Sequence, residues 1–212
     1  MDRLVWIVFL FMLWPASAQA DSFKTLAGLE LGADMNRYWH LVSKDTATEH
    51  PDALFIKEVK LIPWAIPGVR GGSLSYTACR EEELLTRVKL KFTERGESLF
   101  RDLFTDPSER LFRDLHRLYR DRFGRPDKWL GNAFNTIQAW QWVLGKDGPE
   151  QVVIVLMHSK VDEVRPGVSI KMTSMTLWEE ERACWERARE QEVFDADHGE
   201  REIRRLEDFV PH

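Results

Sequence analysis

Six short stretches of strand pattern, three on each side of one long amphipathic helical stretch, limit what this 212-residue chain can fold into. Residues 85–92 alternate most cleanly: Val88, Leu90 and Phe92 face one way and Arg87, Lys89 and Lys91 the other, the period of a half-buried strand. Residues 53–62 read as a strand despite Lys57 and Glu58, and 73–79 as another, with a turn-rich loop over 63–72 between them. Three more runs follow at 136–144, 151–158 and 168–176. Lys146-Asp147-Gly148-Pro149 makes the first turn of that set, and Arg165-Pro166-Gly167 belongs to the second. Strands joined by turns this short form antiparallel meanders.

Helical signals bracket the two sets. Asp34 can cap a short helix over 35–42, and 97–104 is helical in pattern. A longer helix starts at Pro107, capped by Thr105 or Asp106. Leu111, Leu115 and Leu118 form its apolar stripe, widened by Phe112, Tyr119 and Phe123, and Gly124 with Pro126 stops it. Thr176 and Glu179 form a capping box for a last helix, with Glu179, Glu180 and Glu181 at the positive end of its dipole. Its pattern fades after Glu192. The order predicts an α+β fold of two helix-plus-three-strand antiparallel meander units, forming one sheet with helices packed on one face. The expected division is a single domain over 21–192, with pseudo-repeat halves 21–95 and 96–192, and a polar C-terminal tail over 193–212.

The first 20 residues are a leader. Arg3 supplies the charged start, 4–14 is an unbroken apolar run, and Pro15 breaks it before Ala16-Ser17-Ala18-Gln19-Ala20. The Ala18-x-Ala20 spacing predicts cleavage before Asp21. A membrane anchor needs about 20 consecutive apolar residues, roughly twice this run. The expectation is a soluble periplasmic protein with no transmembrane anchor after cleavage. The leader holds one Asp and one Arg, so the remainder keeps the formal net charge of −5. That balance argues against nucleic acid as a partner, since its phosphates demand a basic surface.

Cys79 and Cys184 are the only cysteines. In an oxidising compartment a disulfide between them is expected, closing roughly 105 residues and contributing about 4 kcal/mol in the chain-entropy model. The alternative is a pair of buried free thiols. Nine tryptophans are present, seven of them beyond the leader; most read as core, and Trp64, in the Pro/Gly-rich loop, as the one to be exposed.

Further residues carry a resemblance. Gly28-Leu29-Glu30-Leu31-Gly32, Pro67-Gly68, Tyr76-Thr77-Ala78-Cys79, Phe123-Gly124-Arg125-Pro126-Asp127-Lys128-Trp129, Trp140-Gln141-Trp142 and 179–184 together resemble a group of uncharacterised exported (periplasmic) bacterial proteins of sulfate- and metal-reducing lineages. The resemblance implies a compartment and a fold, and no activity. In layout alone, helix-then-meander units are similar to the BamE and β-lactamase-inhibitor-protein folds; such a likeness assigns no function.

Two candidate interaction sites stand out. Trp64, Ile66, Val69 and Arg70 lie in the 63–72 loop, which could present an apolar contact surface. Arg110, Arg113, Arg117 and Arg120 recur along one helix face as an anion-binding stripe, with Asp114 and Asp121 four residues after Arg110 and Arg117. A solvated face carrying those i, i+4 pairs is the plainer reading. No histidine, cysteine or carboxylate spacing suits a metal, no cofactor motif occurs, and no nucleophile motif names a catalytic residue. The functional expectation is a non-enzymatic binding or interaction domain whose partner is a protein or another cell-envelope component. The alternatives are an envelope enzyme with an unrecognised site and a small apolar-ligand carrier.

Overall fold

Two four-stranded antiparallel meanders meet along one seam in the computed structural model, which describes residues 23–50, 53–92, 107–161 and 166–198. The first comprises β3 (Val42–His50), β4 (Ala53–Leu61), β5 (Val69–Thr77) and β6 (Leu85–Phe92). The second comprises β7 (Lys128–Trp129), β8 (Ile137–Leu144), β9 (Val152–Ser159) and β10 (Gly167–Ser174). Pairing of β6 with β10 joins them into one sheet in the order β3-β4-β5-β6-β10-β9-β8-β7. Ahead of it, β1 (Thr25–Leu26) and β2 (Leu29–Glu30) form a small hairpin. Its turn residues Ala27 and Gly28 both have positive φ, as a tight two-residue hairpin turn requires. The antiparallel α+β architecture expected from the pattern is therefore present. The leader and the 97–104 stretch lie outside the described residues, as does the tail beyond 198.

The alternation in the strands becomes one continuous apolar layer. Val59, Leu74, Val88, Met172, Ile154 and Trp142 stand opposite one another, strand by strand, across the sheet, and all are buried. Each aliphatic side chain in such a row contributes about 1.5–3 kcal/mol by leaving water. Helix α1 (Pro107–Phe123) covers this layer through Phe112, with Leu111, Leu115, Tyr119 and Phe123 beside it. Leu118 departs from the expected stripe and is 59% exposed. A stripe of Phe112, Leu115, Tyr119 and Phe123 already faces the sheet, and the 100° step turns Leu118 to its outer margin. Gly124 ends the helix at φ +81, its N–H donating to the Arg120 carbonyl, as the sequence implies.

Four expectations need correction. Residues 35–42 do not form an α-helix: Asp34 caps a 3-10 turn at Met35–Arg37, accepting from the Asn36 N–H at 2.8 Å, a second turn follows at Trp39–Leu41, and β3 begins at Val42. Each meander thus has four strands rather than three. Strand β3 lacks an apolar alternation because it is an edge strand, buried only at its two ends. The last helix, α2 (Met175–His198), is capped by Ser174, whose Oγ accepts from the Leu177 N–H at 3.3 Å, and it continues past Glu192. Thr176 instead ties α2 to the β8–β9 turn, donating to the Pro149 carbonyl and accepting from the Gln151 N–H. Finally, the helices do not share one face. While α1 lies on the apolar layer, α2 crosses the strand ends and sets Trp178 over Arg87, whose side chain points to the opposite face beside Thr173.

Candidate functional site

The face of the sheet turned away from α1 carries the polar partners of the alternation. Lys60, Ser73, Lys89 and Lys171 stand opposite one another on β4, β5, β6 and β10, a transverse row of three cations around one hydroxyl. Lys91 lies one step along β6 on the same face. Lys60, Ser73, Lys89 and Lys91, with Glu58, Arg70 and Pro166, surround an open concavity of about 580 Å³, and Lys171 continues the row on β10. Its floor is made of Gly71, Gly72 and Ser73. Gly72 is obligatory there, because a Cβ would stand 1.9 Å from the Lys89 carbonyl oxygen. The small floor residues let the longer basic side chains form walls. Arg70 donates to the Pro166 carbonyl, bridging β5 to the β9–β10 connection at one end of the trough.

At the other end a polar cluster sits under α2. Arg87 donates to His50 Nε2 at 2.7 Å and to Thr173 Oγ1 at 3.1 Å, and its guanidinium stacks 4.0 Å over the Trp178 ring. Arginine has no acceptor, so His50 Nε2 accepts and the imidazole carries its proton on Nδ1. Glu58, which also lines the trough, approaches His50 at 3.6 Å. The site is therefore a basic groove with one carboxylate end, suited to holding an extended anion by charge and by donated hydrogen bonds.

Two other polar constellations are structural. Ser108 Oγ lies 2.8 Å from His158 Nε2, the spacing of a nucleophile and its base. Yet Ser108 is 3% and His158 1% exposed, and Phe112 lies 5.6 Å from the imidazole, so the pair tethers α1 to the sheet out of reach of substrate. Cys79, Glu181 and Cys184 are the one cluster of metal-ligand types among the described residues. The two sulfurs are joined in the expected disulfide, and the buried Glu181 carboxylate accepts from the Ala78, Cys79 and Arg80 amides at 3.2, 3.0 and 3.2 Å. With its oxygens so engaged, this cluster is a latch between the β5–β6 loop and α2.

The expected interaction residues separate. Trp64 projects, 62% exposed, with the unusual φ of +67 for a bulky side chain. Val69 is instead part of the core and Ile66 packs against that core, because the turns closed by Ala65 N–H to Ile62 O and Val69 N–H to Ile66 O fold the loop back on itself. Arg70 alone of the four joins the basic groove. Arg110, Arg113, Arg117 and Arg120 are all exposed on α1, on the far side of the sheet from the groove. Arg117 pairs with Asp114 at 3.2 Å, three residues back rather than four ahead. The groove itself was legible only as separate outward lysines, since alternation within a strand does not say which strands lie side by side. No protein-family model, curated protein or solved structure matches this chain. The functional reading therefore rests on the geometry.

Proposed function

We propose that this chain is a non-enzymatic binding domain of the cell envelope, exported to the periplasm, whose partner presents clustered negative charge to the basic groove. The supporting observation is the cross-strand placement of Lys89 opposite Lys171, with Lys60 beyond Ser73 and Arg70 on the wall. The chain as a whole is acidic, with net charge −5, so the groove is a local departure rather than a reflection of composition. An acidic protein segment or an envelope polyanion fits it. The disulfide supports the oxidising compartment, and no helix of the described residues is long and apolar enough to cross a membrane.

Titration calorimetry with polyglutamate and with polyphosphate tests the reading. Binding should weaken steeply with added salt, and Lys60→Glu with Lys89→Glu should reduce affinity at least about tenfold, since each cation lost at a groove of this kind removes about 1 kcal/mol or more. Absence of binding at low salt, or binding that survives both charge reversals, would refute it.

A further inference from the structure

The sheet edge opposite β3 displays apolar side chains that no part of the proposed groove uses. Phe134, at the tip of the β7–β8 loop, is 86% exposed, with Trp129 at 43% and Leu130 at 39%. The loop that carries Phe134 is braced. Asn132 Oδ1 accepts from the Thr136 and Ile137 amides at 3.1 and 3.2 Å, and its Nδ2 donates to Thr136 Oγ1 at 2.7 Å. Asn135 takes the left-handed conformation, φ +54, that closes the turn, with its N–H on the Asn132 carbonyl at 3.1 Å. A phenyl ring left in water by a rigid loop is a presented anchor, because the loop gains nothing for itself from that placement. Trp129 extends the surface: its indole lies over Gly131, where a Cβ would stand 2.6 Å from the ring, and meets Trp140 at a tilt with ring centres 6.4 Å apart.

Cations border this edge. His116 on α1 contacts Trp140 at 5.5 Å. Arg113 and Arg120, three residues before it and four after, therefore line the same flank of the helix, and both are exposed. From Pro107 to Thr136 seven Lys and Arg side chains face four carboxylates, in a chain whose total is negative. Aromatic side chains at a projecting tip with arginines behind them match the interfacial layer of an anionic membrane, which takes Trp and Phe at headgroup depth and attracts basic residues. A second copy of the chain would bring two cationic flanks together, which disfavours self-association at this edge.

We propose that the β7–β8 edge docks the protein peripherally on an anionic lipid surface, with Phe134 and Trp129 inserting and Arg113 and Arg120 meeting lipid phosphates. This rests on the envelope placement proposed above, and on a surface separate from the groove. The protein, in the form its host exports, would be co-sedimented with phosphatidylglycerol–phosphatidylethanolamine vesicles and with neutral phosphatidylcholine vesicles. Binding should favour the anionic vesicles and fall with salt. Phe134→Ala should weaken it about tenfold, the scale of one buried aromatic side chain, and Arg113→Glu with Arg120→Glu should do so as strongly. Lys60→Glu with Lys89→Glu should weaken polyanion binding in the groove at least about tenfold while leaving the effect of Phe134→Ala on vesicle binding intact, so the two readings fail separately. Equal binding to both vesicle types, or anionic binding indifferent to Phe134→Ala, overturns the proposal. So does sedimentation equilibrium showing a dimer that Phe134→Ala dissolves, or a photo-crosslinker at position 134 that captures protein and no lipid. Thermal melts establish that each variant is folded, and Phe134, being exposed, decides the matter even if an arginine variant is not.

Discussion

His116 shows how a side chain's surroundings set its charge. Phe112 stacks on it at 6.2 Å, Trp140 and Trp142 lie at 5.5 and 5.9 Å, and its Nε2 is buried without a hydrogen-bond partner. Desolvation first, and the nearby Arg120 charge second, lower its pKa below the usual 6.5. The folded state thus resists a proton that the unfolded chain accepts. Stability should be full above about pH 6.5 and decline as pH falls from there toward the lowered folded value. Urea melts at pH 7.5 and pH 5 should differ, and His116→Phe should reduce that difference; an unchanged pH dependence would assign the loss to other groups. Its helix neighbour Tyr119 is pushed up to about 12 by burial alone, so it stays protonated throughout this range. Asp127 shifts the other way, held below the ordinary carboxylate range by the Lys146 ammonium and then by the Val143 amide at 2.7 Å. Nothing in the residue types announces these differences; each follows from what the fold places alongside.

Among the elements, α2 depends most on contacts remote in sequence. Its first turn is capped by Ser174, its middle is held to the β5–β6 loop by Glu181 and the Cys79–Cys184 disulfide, and Arg80 reaches Glu180 at 3.0 Å. Trp178 and Trp185 then cover Phe55, at 5.2 and 6.4 Å, at the start of β4. Glu181→Ala leaves three amides without their acceptor and should cost about 2–4 kcal/mol. Cys79→Ser with Cys184→Ser should cost a similar 2–4 kcal/mol, roughly the usual worth of a native disulfide. Both changes loosen the same joint, so the combined variant should lose less than their sum. A double-mutant cycle by urea denaturation measures the coupling, and strict additivity would show that carboxylate and disulfide act on independent contacts.

For the whole molecule the decisive feature is the seam between the meanders. Leu90 on β6 stands opposite Gly72 on one side and Ile170 on the other, fully buried, so the core is continuous across the join. Leu90→Ala should cost about 2–5 kcal/mol by the cavity it leaves. Tryptophan fluorescence and far-ultraviolet circular dichroism should still report one coincident transition. Transitions that separate would mean that the halves fold independently. The first meander alone holds Lys60, Ser73 and Lys89 in a row, and the join extends that row with Lys171 on β10 and brings Pro166 to the rim of the groove.

Local pattern alone was enough for the antiparallel α+β class, for strands such as β6 and β9, for the stop of α1, and for the disulfide partners. Alternation, Pro and Gly placement, and a count of two cysteines are all short-range or combinatorial signals. Strand β3 escaped because an edge strand buries too little to alternate, and Thr176 misled because its Oγ1 accepts from the Gln151 N–H across the β8–β9 turn while Ser174 caps the helix. Val69 read as a loop contact and became core because the turn around Gly68 folds back. The order of strands, the split of the helices onto different sides, the basic groove and the braced Phe134 were decided only in three dimensions. Each depends on which distant segments bury their apolar faces together, and that choice belongs to the chain as a whole.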